Sequence, residues 1–178
     1  MGSNKMLLPI GGLPVIEHCI KGLQSVCNRV IVVVGTRLEL FESLRNAYPE
    51  VCFVVNNNPD HGMFSSVVAG LRFVQESRAF ILPGDCPLVP VWVLRTMLTC
   101  RGCTIPVYHG LPGHPVLVDR IAMEGMLHTN TGSLRQYLFE NGYERLDVDD
   151  DRILMDIDDT SAYREACDRY DHDCNGGG

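Results

Sequence analysis

The feature that most constrains this chain is its alternation between short apolar runs and segments whose apolar residues recur every three or four positions. Residues 30–34 read VIVVV and stop at Gly35, the pattern of a strand covered on both faces rather than on one. Residues 51–55, 79–82, 104–108 and 115–118 read as further strands, and 153–157 as a short last one. Helical spacing fills the intervals. Val15, Ile16, Cys19, Ile20 and Leu23 follow a first-turn proline, Pro14, and Met63, Val67, Leu71 and Val74 form a second stripe. Residues 38–48, 91–98, 133–140 and 160–169 complete the helical set. Strands separated by helices indicate βαβ units, so the expected class is α/β with a mostly parallel sheet. In such sheets ligands bind beyond the carboxyl ends of the strands, and chemistry is sought there.

At 178 residues, with 46% hydrophobic and 21% charged residues, the chain is long enough for one domain with a real core and too apolar for disorder. Residues 1–170 are expected to form that domain and 171–178 a short polar tail. Charge is distributed unevenly. Residues 1–140 carry 11 Lys and Arg against 10 Asp and Glu, whereas residues 141–178 carry 4 against 12. No clustered basic surface is present, which argues against nucleic acid as a partner. No apolar run approaches the ~18 residues of a membrane span and no secretory leader opens the chain, so a cytoplasmic setting without membrane contact is expected. Eight cysteines then read as reduced thiols; Cys100 and Cys103 form a C-x-x-C, but no second pair at zinc-site spacing accompanies it.

Asp85 follows the apolar run AFIL through a Pro-Gly turn, which projects a carboxylate at the carboxyl edge of the sheet. It could hold a magnesium ion, which takes one or two carboxylates with phosphates and water, or bond its own turn backbone. Seven carboxylates fall between Asp147 and Asp159. Asp149, Asp150 and Asp151 look like a solvated turn, and Asp158 or Asp159 can cap the final helix. Asp156 and Asp158, alternating at a strand end, would project on one side, where one of them could meet Asp85. Lys5 stands in an uncharged stretch before Gly11 and Gly12, a setting for one positive charge on a phosphate. Ser65 and Ser66, behind Gly62, either cap a helix or offer donors to an anionic or nucleobase ligand. His114, between Gly113 and Pro115, is placed where a side chain is presented, although lone histidines are more often structural. No G-x-S-x-G turn supports a serine hydrolase.

The segments MGSNKMLLPIGGLPVIEH, NNNPDHGMFSSVVAGL, PGDCPLVP, IPVYHGLPGHPVLVDR and MDIDDTSAY, in this order, resemble the motifs of the molybdenum cofactor nucleotidyltransferase family. GMFSSVVAGL and GHPV are closer to its cytidylyltransferase branch than to its guanylyltransferase branch. The resemblance implies a three-layer α/β/α, Rossmann-like fold and transfer of CMP from CTP (or GMP from GTP) to the phosphate of molybdopterin. Pyrophosphate would be released, with Mg²⁺ as cofactor and a molybdoenzyme receiving the product. It makes Lys5 catalytic and Asp85 and Asp158 the metal ligands. Gly12, Asn58, Gly62, Ser65, Ser66 and Gly84 would contact the nucleotide, and Gly113 and His114 the acceptor. Family members carry a strand and a glycine-rich loop ahead of the Met-Gly, and this sequence opens at the Met-Gly; Thr160 and Ser161 also depart from the family's Pro-Glu, and TGSLR (131–135) only approximates its glycine-rich segment. Two alternatives stand beside this reading: a nucleotidyltransferase acting on a sugar phosphate or other phosphorylated metabolite, and a catalytically impaired cofactor-binding domain.

Overall fold

The structure is a computed structural model that describes residues 3–129 and 132–175. Met1, Gly2, Asn130, Thr131 and residues 176–178, which include parts of the opening motif, of TGSLR and of the tail, lie outside the described residues.

The chain opens with a 3-10 turn, Ser3–Leu7, and a minimal antiparallel hairpin of β1 (Pro9–Ile10) and β2 (Leu13–Pro14). Gly11 and Gly12 form its turn with φ of 54° and 85°, the two left-handed residues that a tight hairpin of this kind needs. Helix α1 (Val15–Gln24) leads to β3 (Ile31–Val34), α2 (Glu42–Ala47), β4 (Cys52–Val55), α3 (Met63–Leu71) and β5 (Arg78–Ile81). Then come α4 (Val91–Met97), β6 (Thr104–Tyr108), β7 (Leu111–Pro112), β8 (Val116–Asp119), α5 (Arg120–His128), α6 (Leu134–Asn141), β9 (Glu144–Asp147) and α7 (Thr160–Asn175).

The α/β class holds, but in place of one mostly parallel sheet the described strands form two pairs, β1-β2 and β3-β4, and a mixed five-stranded sheet ordered β5-β8-β6-β7 with β9 on β6. β3 pairs with β4, and β6 with β9, in parallel; β8 runs antiparallel to β5 and β6. The reason is local: His109 and Gly110, both at positive φ, turn β6 straight into β7, so the following strand returns beside β6 instead of crossing over through a helix. Alternation along the strands sets the layers. Val116 and Val118 of β8, with Ala79 and Ile81 of β5, face α3, α5 and α6. Leu117 and Phe80 face the other way, onto Val93 and Met97 of α4. On β3, Val32 and Val34 pack on Ile16 and Ile20 of α1.

Three expectations are corrected. Residues 153–157 form no strand: Asp151–Leu154 is a 3-10 turn, and Ile153 and Ile157 are anchors with no exposed surface. Residues 171–175 belong to α7 rather than to a tail, because Arg152 ion-pairs with Asp173 and so ties the helix end to the preceding turn. Asp150 and Asp151 are not merely solvated, since Arg152 holds the first at 2.7 Å and Arg169 the second at 2.5 Å.

β3 and β5 each have one strand partner among the described residues, and β3 is joined to β4 alone. Cys52 N–H donates to Val30 O and Asn56 N–H to Val34 O, so the even-numbered residues bond β4. The backbone groups of Ile31 and Val33 therefore point to the opposite edge. A cavity of about 290 Å³ lies there, walled by Ile31, Val33, Ala79 and Ile81 and roofed by α3.

Candidate functional site

One end of that cavity is polar, lined by Ser66, Gly84, Asp85 and His114 beside Met6. Asp85 reaches it because β5 ends in the turn Pro83-Gly84, in which Cys86 N–H donates to Pro83 O at 3.2 Å. Cys19 of α1 supports this turn from below, its thiol 3.3 Å from Cys86 O. Burial first, and then the charge of Asp85, push the Cys19 thiol up to about 12. The same causes in the same order push Cys86 upward. Neither is a reactive thiolate, and Cys27, Cys52, Cys100, Cys103 and Cys167 are likewise free. Gly84 sits where a Cβ would lie 3.1 Å from Met6 Sδ, so its lack of a side chain lets the Lys5 segment approach the Asp85 turn.

Lys5 and Asp158 come from opposite ends of the chain. Leu8, Ile10 and Val15 pack with Ile157, Tyr163 and Ala166 of the C-terminal segment. Ile157 N–H donates to Asp85 O at 3.0 Å, which fixes the next residue beside the turn. Lys5 Nζ then lies 2.7 Å from Asp85 Oδ2 and 2.8 Å from Asp158 Oδ1. Burial lowers the Lys5 pKa, but the hydrogen bonds to Asp158 and Asp85 outweigh it and the net shift is upward. Asp158, the more exposed partner, is held below the ordinary carboxylate range by Lys5. Asp156, which the strand reading put on the same side, is raised by burial and then by Asp158 and Asp85. Helix capping falls to Asp159, whose carboxylate accepts from Ser161 N–H and Ala162 N–H.

His114 is tied through its N–H to Ile153 O at 2.8 Å, while its Nδ1 is buried without a hydrogen-bond partner among the described residues. Burial lowers its pKa against the pull of Asp85 and Asp156; the residue lines the cavity, but Nδ1 itself is closed off from it. Gly113 is buried. A Cβ there would lie 2.4 Å from Ile153 O, which accounts for the glycine by packing.

Ser65 and Ser66 do not cap α3. The amide of Asn56 donates to both hydroxyls, at 2.7 and 3.0 Å, and its Oδ1 accepts the N–H of Asn58. Asn56, 3% exposed, is the organising residue that sequence reasoning missed in favour of Asn58; its signal was its place at the carboxyl end of a strand. Cys19 and Met6 were missed as supports for the same reason that any core residue is, since their stripe reads only as apolar. Ser66 joins the cavity, whereas Asn58, Gly62 and Ser65 cluster at the start of α3 and Gly12 at the hairpin turn. Asp85 and Asp158 fit a divalent cation in donor chemistry, since their oxygens already share one positive centre and a magnesium site needs only one or two carboxylates.

An α/β domain with paired carboxylates and a lysine at a strand's carboxyl edge has the make-up of an enzyme acting on phosphate-bearing ligands. Comparison makes this particular: residues 1–146 match the MobA-like NTP transferase domain, and the chain belongs to that family. It is 31% identical, over 96% of its length and 90% of the relative's, to the molybdenum cofactor cytidylyltransferase of Escherichia coli (strain K12). A probable molybdenum cofactor guanylyltransferase of Carboxydothermus hydrogenoformans is 28% identical over 53% of this chain and 45% of that one. Among solved structures, a nucleotidyl transferase from Methanothermobacter superposes with a TM-score of 0.80 at 24% identity, covering 95% of this chain and 86% of its own. A Mycobacterium tuberculosis protein solved with manganese gives 0.77 at 20% identity, with coverages of 94% and 93%. The chain is thus a nucleotidyltransferase, and no helix among its described residues is long and apolar enough to cross a membrane.

Proposed function

We propose that this enzyme transfers CMP from CTP to the terminal phosphate of molybdopterin or its metallated form and releases pyrophosphate. The observation that carries the reading is the meeting of Lys5 and Asp158 on Asp85, which itself lines the cavity. Catalysis of this kind is mainly positioning and neutralisation, because both reactants are anionic. An oxygen of the acceptor phosphate attacks the α-phosphorus of CTP, the bond from that phosphorus to the bridging oxygen breaks, and pyrophosphate leaves; no protein nucleophile is needed. Lys5 places a positive charge on the phosphates. Magnesium, when held by Asp85 and Asp158, supplies further neutralisation of the transferring group. Ser66 and the backbone N–H groups at the start of α3 face the nucleotide, and His114, in the cavity lining with Asp85, faces the acceptor. On this reading the enzyme works in the cytoplasm and passes its product to a molybdoenzyme.

The test is pyrophosphate release from CTP and molybdopterin by wild type and Asp85→Asn. Loss of one stabilising group at a transferring centre is expected to lower kcat by about 10²–10³-fold. Equal rates would remove Asp85 from the mechanism. GTP in place of CTP, and sugar phosphates in place of molybdopterin, run alongside; preference for either would replace CTP or the pterin in the proposal.

A further inference from the structure

The ammonium of Lys5 sits between the two carboxylates that the proposed function gives to the metal. Its distances of 2.7 and 2.8 Å are those of full charge-assisted hydrogen bonds to both. The Lys5 and Asp85 side chains are each 17% exposed, so this contact is shielded, and Asp158 closes it from the solvent side. Lysine is protonated at neutral pH, and proton loss does not free the oxygens. A divalent cation that seeks the same oxygens must therefore displace a tethered monovalent one. Lys5 has a second partner that draws it away: the same reading puts its charge on the phosphates of the nucleotide, an anion stronger than either carboxylate. The short 3-10 turn Ser3–Leu7 carries Lys5, and the four-carbon stem can move the ammonium without moving that turn.

We propose that Lys5 is a built-in placeholder for the metal, which holds Asp85 and Asp158 closed to divalent cations until a nucleotide's phosphates draw the ammonium off. The inference rests on the metal role of these carboxylates. Its consequence is that nucleotide and metal bind with positive coupling carried by one side chain. Such coupling is reciprocal: whatever factor the nucleotide adds to metal affinity, the metal adds to nucleotide affinity. The nucleotide-free enzyme is thereby spared idle occupation of its site by a cation.

The test is Mn²⁺ binding to the full chain without nucleotide, read from the electron paramagnetic resonance signal of free Mn²⁺. Lys5→Met and Lys5→Gln are expected to bind Mn²⁺ about 10-fold more tightly than wild type, within the range usual for such couplings. Lys5→Arg, which keeps a cation between the carboxylates, is expected to stay at or below wild-type affinity. Adding Asp85→Asn to Lys5→Met is expected to abolish the gain. If both neutral variants fold, as judged by circular dichroism, and bind Mn²⁺ no better than wild type while Asp85→Asn still weakens binding, the placeholder is wrong and the metal site stands. If Asp85→Asn changes Mn²⁺ affinity in no background, the metal site itself is wrong.

Discussion

Two pairs of strands, β6 with β8 and β3 with β5, end in different states. In β6 and β8 all but the last residue of each strand is buried, and Leu117 and Val118 have no exposed surface. In β5 all four residues are only half-buried, and in β3 the half-buried Ile31 and Val33 alternate with buried Val32 and Val34. Apolar content does not explain this, since IVVV is wholly aliphatic while the more buried TIPVY carries Thr104 and Tyr108; neighbours do. β6 has strands along its edges and helices on its faces, whereas β3 and β5 turn free edges toward a slot. A second cavity of about 230 Å³ shares Ile31, Ala79 and Phe80 with the first, so the slot continues toward the end of α1. Its other end is the Asp85 turn.

Leu117→Ala gives the largest stability effect that would test this comparison. Leu117 fills the space between β8 and α4, and its truncation is expected to cost about 4 kcal/mol in urea unfolding, within the usual cost of burying a cavity. Ile31→Ala removes a similar volume from the slot wall, where the missing atoms open onto space already empty, and about 1 kcal/mol is expected. The ratio is the measurement that matters. Comparable losses from both would mean that the slot is as tightly packed in solution as the space between β8 and α4.

Much of this architecture could be read beforehand, and the failures are physical. The strand VIVVV and the stripe of α1 were legible because burial imposes their periodicity. Helix α5 was not, because Ile121 breaks its stripe at 81% exposure and only the cap from Asp119 to Ala122 N–H marks its start. β9, reading ERLD, is mostly exposed and owes its form to pairing with β6. Of the site, Asp85 was legible from a local turn. The company of Lys5 and Asp158 was not a local property: it depends on packing between the two ends of the chain, so alternation suggested only that Asp156 or Asp158 could meet Asp85, and the family resemblance alone brought in Lys5. Asn56 was hidden by its own neighbours, since three asparagines in a row do not say which one turns inward.

The acidic end offers an effect as small as that of the slot wall. Its reading as a solvated run fails at Asp150, whose side chain is 12% exposed and takes the Arg152 guanidinium at 2.7 Å while accepting the Arg152 N–H. Arg152 holds the Asp150 pKa below the ordinary carboxylate value. A carboxylate whose folded pKa is depressed stabilises the fold above its unfolded pKa, about 3.9, and loses that contribution as pH falls through the folded value. Arg152→Gln is therefore expected to cost about 1 kcal/mol near neutral pH, discounted for the partial exposure of the pair. The wild-type and variant stability curves should converge as pH falls below the ordinary Asp range and protonation removes the pairing. A difference that persists undiminished into acid would show that Arg152 acts through packing of its stem on α7 and not through charge.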